Sequence, residues 1–308
     1  MKKLNNKILI AALVGLVGIF ALSRWLRSPG LESNLKKELL SLDTASINEV
    51  RIKPSNYKPL EVILKREANK WKVFNNQQQA ETEVGTVKSM LGVLKDLKVQ
   101  RLASRKKDKW DTYQVGESGT LVSVLQNGKQ TDIHFGKSNY GQGGATTFVR
   151  LGNQEEVYAV EGFLDSHFNR TYNDWRNKTF LRLNQSDIAK VIFNYAGDSS
   201  FVLEKRDSVW FAANQKADDS KVNSFLSQLT FKTLNDFADG FTSAEKPTAT
   251  LQIESKNGVL ATVQGWMNGD QWILNSSLQN GVYFSTTQNL IKDFLVGKGK
   301  FFADKPSK

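Results

Sequence analysis

Residues equipped for chemistry are scarce in this chain of 308 residues, which has two His and no Cys. Without a thiol there is no disulfide, no thiolate zinc site and no cysteine nucleophile. His134 lies in the strand-like run Asp132-Ile133-His134-Phe135-Gly136, and His167 in a stretch, Glu161–Arg170, that reads as helical. Neither has a second ligand at metal-binding spacing. Asp165 and His167 are two apart and do not share a helical face. No Gly-x-Ser-x-Gly elbow occurs. Gly136-Lys137-Ser138 imitates the end of a phosphate-binding loop, but Thr131 stands where that pattern needs glycine, and no helix N-terminus follows to aim N–H groups at a phosphate. The segment reads instead as a long hairpin loop with Ser138–Gln142 at its exposed tip. Asp218-Asp219 resembles a carboxylate pair but fits a helix start better. No catalytic, metal-binding or cofactor-binding residue is therefore assigned, and the chain is expected not to be an enzyme. The alternative, a hydrolase with an unrecognised carboxylate site, needs a spatial separation of carboxylates that one sequence does not supply.

Recognition is a more promising role. Tyr140 lies in a glycine-rich stretch, and the spacer Arg170–Leu183 (RTYNDWRNKTFLRL) is basic and aromatic. One reading packs Tyr172, Trp175 and Phe180 between two folded units. The other makes the spacer a partner groove. Tyr140, Tyr172, Trp175 and Arg176 are the candidate ligand or partner contacts.

The elements that would carry these residues follow from charge and pattern. The formal net charge is +11, but Lys2, Lys3, Lys7, Arg24 and Arg27 fall in residues 1–27, which hold no acid, so the remainder is only mildly basic at +6. Its densest run, Arg105-Lys106-Lys107-Asp108-Lys109, reads as a solvated loop, and no nucleic-acid partner is expected. Ile8–Leu22 is an unbroken apolar run behind a basic leader. With Leu4 and the Ser23–Leu26 tail it predicts a retained single-pass anchor contacting the lipid bilayer through residues 4–26. The basic leader favours the cytoplasmic side, placing the bulk of the chain outside the cytoplasm, at a bacterial inner membrane. Leu31, Leu35, Leu39 and Leu42 then recur at helical spacing, predicting a juxtamembrane helix within residues 28–45.

Beyond this point the chain repeats itself. SINEVRI, EVILKREANKWKVFNN and VKSMLGVL (46–94) return as SDIAKVIF, FVLEKRDSVWFAAN and VNSFLSQL (186–229). Lys65-Arg66 aligns with Lys205-Arg206, Trp71 with Trp210 and Asn75 with Asn214. Thr120–Gly128 and Thr250–Gly258 both end in Asn-Gly, a strong hairpin signal. Each copy is predicted as three strands, a helix, a four-strand meander and a second helix. Val87, Met90, Leu91 and Leu94, and Val222, Phe225, Leu226 and Leu229, form the apolar stripes of the first helices. The fold class is α+β: a tandem duplication of a mostly antiparallel sheet with packed helices, behind one transmembrane helix. The expected divisions are 1–27 (anchor), 28–45 (linker), 46–169 (first repeat), 170–185 (connection) and 186–308 (second repeat).

A set of short motifs carries a resemblance. Trp110-Asp-x-Tyr113, Phe135-Gly136-Lys137, Thr147-Phe148-Val149-Arg150, Val157-Tyr158 and Trp175-Arg176-Asn177-Lys178, in this order between the two Trp-bearing strand pairs, resemble the bacterial membrane-associated family known as domain of unknown function 4340. Tyr113-Gln114-Val115 stands where that family has Tyr-Gly-Leu. The resemblance implies a single-span extracytoplasmic protein associated with ABC-type export and gliding-motility auxiliary proteins, and brings no catalytic residues. The expected function is thus a non-enzymatic scaffold or accessory subunit of an envelope or transporter complex, with an extracytoplasmic glycan- or lipid-headgroup-binding module as the alternative.

Overall fold

The computed structural model describes residues 13–20, 22, 39–141, 144–195, 199–242, 245–287 and 291–303. Most of the expected anchor and the part of the expected juxtamembrane helix before residue 39 lie outside these. Residues 13–20 are helical, and no helix among the described residues is long and apolar enough to cross a membrane. Leu39 and Leu42 are buried, but residues 39–43 are not helical: the Leu39 N–H donates to the Leu97 carbonyl at 3.3 Å, outside any helical ladder.

Two compact units follow, both built from antiparallel sheet, so the α+β class holds. The first contains β1 (Ile47–Lys53), β2 (Val62–Glu67), β3 (Lys70–Phe74), the start of β4 (Gln79–Glu81), nearly all of α1 (Val84–Lys95), β5 (Val99–Ser104), α2 (Trp110–Tyr113), β6 (Thr120–Gln126), β7 (Lys129–Gly141), β8 (Gly144–Leu151) and β9 (Val157–Glu161). The short helix α3 (Tyr172–Trp175) straddles the division at 172/173. The second unit adds β10 (Thr179–Arg182), β11 (Lys190–Tyr195), β12 (Phe201–Arg206), β13 (Val209–Ala212), β14 (Gln215–Lys216), α4 (Asp219–Thr230), β15 (Phe231–Thr233), β16 (Ala249–Ser255), β17 (Gly258–Asn268), β18 (Gln271–Ser276) and β19 (Tyr283–Thr286).

The sheets share one strand order. The first runs β4-β3-β2-β1-β6-β7-β8-β9-β5 and the second β14-β13-β12-β11-β16-β17-β18-β19. In the second, residues 236–238 lie along β19 where β5 lies along β9: Phe237 bridges Phe284, and the Ala238 N–H donates to the Tyr283 carbonyl at 2.8 Å. β15 pairs instead with β10. Residues 173–185, expected as a connection, therefore belong to the second unit: Trp175 is fully buried, and Phe180 and Leu181 join that unit's core. Residues 80–84 also go with the second unit, because Asn177 N–H donates to the Glu81 carbonyl and Glu83 N–H to the Trp175 carbonyl.

Ladder register corrects the alignment of the copies. Val50 opposes Leu64 and Val191 opposes Leu203, while Arg66 opposes Trp71 and Lys205 opposes Trp210. Arg66 therefore corresponds to Lys205, one place from the match suggested by the two Lys-Arg pairs. Each copy thereby sets a cation over its tryptophan, at 5.3 Å in the first and 6.0 Å in the second. Helix α4 buries Val222, Phe225, Leu226 and Leu229 in a core with Phe193, Leu203, Trp210 and Ile253. In α1, Val87, Met90 and Leu94 are buried and Leu91 is half-buried. The stretch around His167 forms only a 3-10 turn, Asp165–His167, rather than the second helix expected there.

Candidate functional site

Strand β8 of the first unit is buried on both faces from Thr147 to Leu151, which an antiparallel strand with one face in water would not be. The covering element on its second face is α2 with the turn after it. Val115, Phe148, Val157 and Ala159 form a small cluster there, with Trp110 and Tyr113 packed against it. The Tyr113 and Phe148 ring centroids are 4.4 Å apart.

Glycine makes this closure possible. Gly136 sits in a β-bulge of β7, where the register against β8 shifts between Phe135 and Ser138. A methyl at Gly136 would lie 2.1 Å from the Tyr113 carbonyl, and one at Gly119 2.4 Å from the Gln114 carbonyl. Gly136-Lys137-Ser138 is therefore not a hairpin loop. It is a kink inside a long strand, with its glycine spent on the close approach of the α2 turn.

Arg150 lies at the centre, only 3% exposed. Its Nε donates to the Val115 carbonyl at 3.0 Å, and Nη1 to the carbonyls of Leu151, Gly152 and Gln154 at 3.2–3.4 Å. Its guanidinium stacks on Trp110, 3.8 Å from the ring centroid, and Lys107 sits 5.4 Å from the same ring. Burial pushes the guanidinium below its ordinary range, and no carboxylate among the described residues pairs with it.

Beside it runs a row across four strands. Lys53 of β1 opposes Leu121 of β6, Leu121 opposes His134 of β7, and His134 opposes Arg150 of β8. All four line a cleft of about 690 Å³, together with Lys58, Lys107, Asp111 and Glu117. The His134 ring bonds to the Gly116 carbonyl, which leaves Nδ1 buried with no partner. Burial first, and the Arg150 charge second, hold this imidazole down to about 4, so it is neutral at pH 7. With one ring nitrogen donating to a carbonyl, neutral Nδ1 is an acceptor. The sequence treated His134 as an isolated strand residue, and only cross-strand register brings it to Arg150.

The residues singled out for recognition are scattered. Tyr140, 80% exposed, stacks on Phe163 with centroids 6.4 Å apart and planes within 10°. Tyr172 is half-buried. Trp175 is fully buried and is thus a core residue rather than a contact surface. Arg176, also buried, is held by Asp239 through two bonds of 2.6 and 2.9 Å and stacks 3.5 Å from the Phe237 ring centroid. Its visible work is internal to the second unit. Elsewhere the fold brings Ser89 of α1 within 3.1 Å of His167 Nδ1, a hydroxyl–imidazole pair that sequence spacing did not reveal. Asp165, two residues from that histidine, is engaged with Thr120 at 2.7 Å and Asn169 at 3.0 Å, not with the ring. No cluster of three His, Asp or Glu side chains suited to a metal is found among the described residues.

Comparison with curated proteins finds no match, and comparison with solved structures finds none. Residues 73–253 match the family described as Domain of unknown function (DUF4340). That span covers more than half of the chain, from the third strand of the first sheet to β16 of the second, and takes in the α2 turn, the β7 bulge and Arg150. The chain belongs to the DUF4340 family.

Proposed function

We propose that the chain is a single-pass bacterial inner-membrane protein, anchored through residues 4–26 with its body outside the cytoplasm. In this reading it is a non-enzymatic scaffold or accessory subunit of an envelope complex, of the ABC-transport or motility kind, built by tandem duplication of one sheet-and-helix plan. The observation that carries the tether is the surface of the N-terminal helix. Leu13, Val14, Leu16, Val17, Ile19, Phe20 and Leu22 are each 55–68% exposed. A helix apolar on every side is stable in lipid or in a core, not in water. Its test is fractionation of cells expressing the full chain: it is expected in the membrane pellet after salt and alkaline washing, and in the soluble fraction once residues 1–27 are deleted. Recovery of the full chain in the soluble fraction overturns the tether. Crosslinking in native membranes then tests the accessory role, which is lost if no envelope or transporter subunit is captured.

A second reading, glycan or lipid-headgroup binding, is favoured by the exposed Tyr140–Phe163 pair, since parallel aromatic faces stack on the apolar faces of sugar rings. Envelope glycans are expected to raise the thermal midpoint by mass action, and Tyr140→Ala with Phe163→Ala to abolish that rise. A rise that persists in the double variant refutes this site.

A further inference from the structure

The cleft beneath α2 contains a cation that the fold does not require. The second unit supplies the comparison, because its matched row carries no charge. Asn194 opposes Thr250, Thr250 opposes Gln264, and Gln264 opposes Asn275, in the places of Lys53, Leu121, His134 and Arg150. Asn275 has the same clamping work as Arg150. Its Nδ2 donates to the carbonyls of Val282 at 2.9 Å and Gln279 at 3.5 Å, tying down the loop after its strand as Arg150 ties down residues 151–154. A neutral amide therefore suffices to hold this fold at that position. Burying a guanidinium with no carboxylate partner among the described residues costs more than burying an amide, and three lysines line the same cleft.

The electrostatics select an anion, and the acceptors narrow its class. Arg150, Lys53, Lys58 and Lys107 outnumber Asp111 and Glu117 around the cleft. The Nη2 of Arg150 is the guanidinium nitrogen that no backbone carbonyl takes, and it is the group left to face an anion. Asp111 and Glu117 are acceptors, which suit hydroxyl donors rather than a second anionic group. The volume, about 690 Å³, lies in the range of small-ligand sites. Lys53 and Lys58 also border an adjoining hollow of about 640 Å³, so a ligand longer than the cleft has room to continue past them.

We propose that this cleft binds a phosphorylated polyol or sugar, its phosphate held by Arg150 with Lys53, Lys58 and Lys107, and its hydroxyls donating to Asp111 and Glu117. The same chemistry is presented by a soluble polyol phosphate and by the phosphoglycerol headgroup of a lipid. The assignment is independent of the tether, since it concerns the first unit's own surface.

The test titrates the full chain, purified in mild detergent, with glycerol 3-phosphate and with inorganic phosphate, following tryptophan fluorescence and heat; sedimentation with phosphatidylglycerol or phosphatidylcholine vesicles forms the lipid arm. Glycerol 3-phosphate is expected to bind saturably, and K53Q/K58Q/K107Q to weaken it about tenfold or more while leaving the circular dichroism unchanged. Asp111→Ala with Glu117→Ala is expected to weaken glycerol 3-phosphate relative to inorganic phosphate, because only the former carries hydroxyls. A control that removes two lysines at a cavity of the second unit, K205Q/K256Q, is expected to leave binding unaltered. Binding to phosphatidylglycerol vesicles but not phosphatidylcholine, lost in the triple variant, assigns the phosphate to a lipid. No saturable binding in either arm overturns the proposal, as does weakening by K205Q/K256Q equal to that by K53Q/K58Q/K107Q.

Discussion

Gln114 shows how much one residue carries. It sits at the C-terminal end of α2 with φ 56° and ψ 36°, the left-handed region where a side chain costs about 1–2 kcal/mol. This is the position at which the family pattern has glycine. Gln114→Gly is expected to raise stability by up to about 1 kcal/mol, the strain relieved being partly offset by glycine's greater freedom when unfolded. Urea unfolding followed at a single wavelength measures it, and a lower midpoint in the variant refutes the strain. His134 gives a pH signature. Its folded pKa, about 4, lies below the ordinary value of 6.5, so between these values the unfolded chain takes up a proton that the folded chain refuses. Stability is therefore fully present above pH 6.5, falls as pH drops towards 4, and levels off below. His134→Gln is expected to flatten that slope in stability measured from pH 7 to 4. An unchanged slope means that the ring titrates normally. Neither property is visible in the string of residues. The left-handed turn was hinted at by the missing glycine, whereas the burial that depresses His134, and the Arg150 charge that adds to it from 16 positions away, arrive only through strand pairing.

At the scale of elements, equal sequence signals had unequal outcomes. Asn127-Gly128 forms a two-residue turn with both φ positive, 49° and 77°, between Gln126 and Lys129. Asn257-Gly258 does not repeat it: the turn residues are Lys256 and Asn257, and Gly258 is already the first residue of β17. Between the Ile253–Ala261 and Glu254–Val259 pairs one extra residue is taken up in β17, and this brings Gly258 into the ladder opposite Ser255. The acid before α4 behaved as its type predicts. Asp218 caps the helix, accepting from Ser220 N–H at 2.9 Å and Lys221 N–H at 3.1 Å. Asp218→Ala is expected to cost about 1 kcal/mol and Asp218→Asn much less, measured as a shift in the chemical-denaturation midpoint. Equal loss from both substitutions assigns the effect to charge rather than to the cap.

For the whole molecule, the shared strand order of two sheets with separate compact units predicts divided cooperativity. Calorimetry is expected to resolve two transitions. Phe225→Ala, emptying a fully buried site in the second core, is expected to lower one of them by about 3–5 kcal/mol of unit stability while sparing the other. A single transition that moves as a whole refutes independence. At this scale the copies also differ in one matched row: Lys53, Leu121, His134 and Arg150 in the first, neutral amides and a threonine in the second.

The sequence by itself determined the mostly antiparallel α+β class, two halves with one order of strand and helix signals, and membership in the DUF4340 family. These rest on local periodicity and on residue types whose preferences act within a few positions. Tertiary structure alone decided which of those residues meet. A strand places its side chains alternately on two faces, so a bulge at Gly136 or a one-residue offset between Lys-Arg pairs reassigns faces without altering composition. The burial of Trp175, the lack of a carboxylate partner for Arg150 among the described residues and the approach of His134 to it all depend on pairings between strands distant in the chain. Those pairings are set by long-range packing, which leaves no local periodic signature to read.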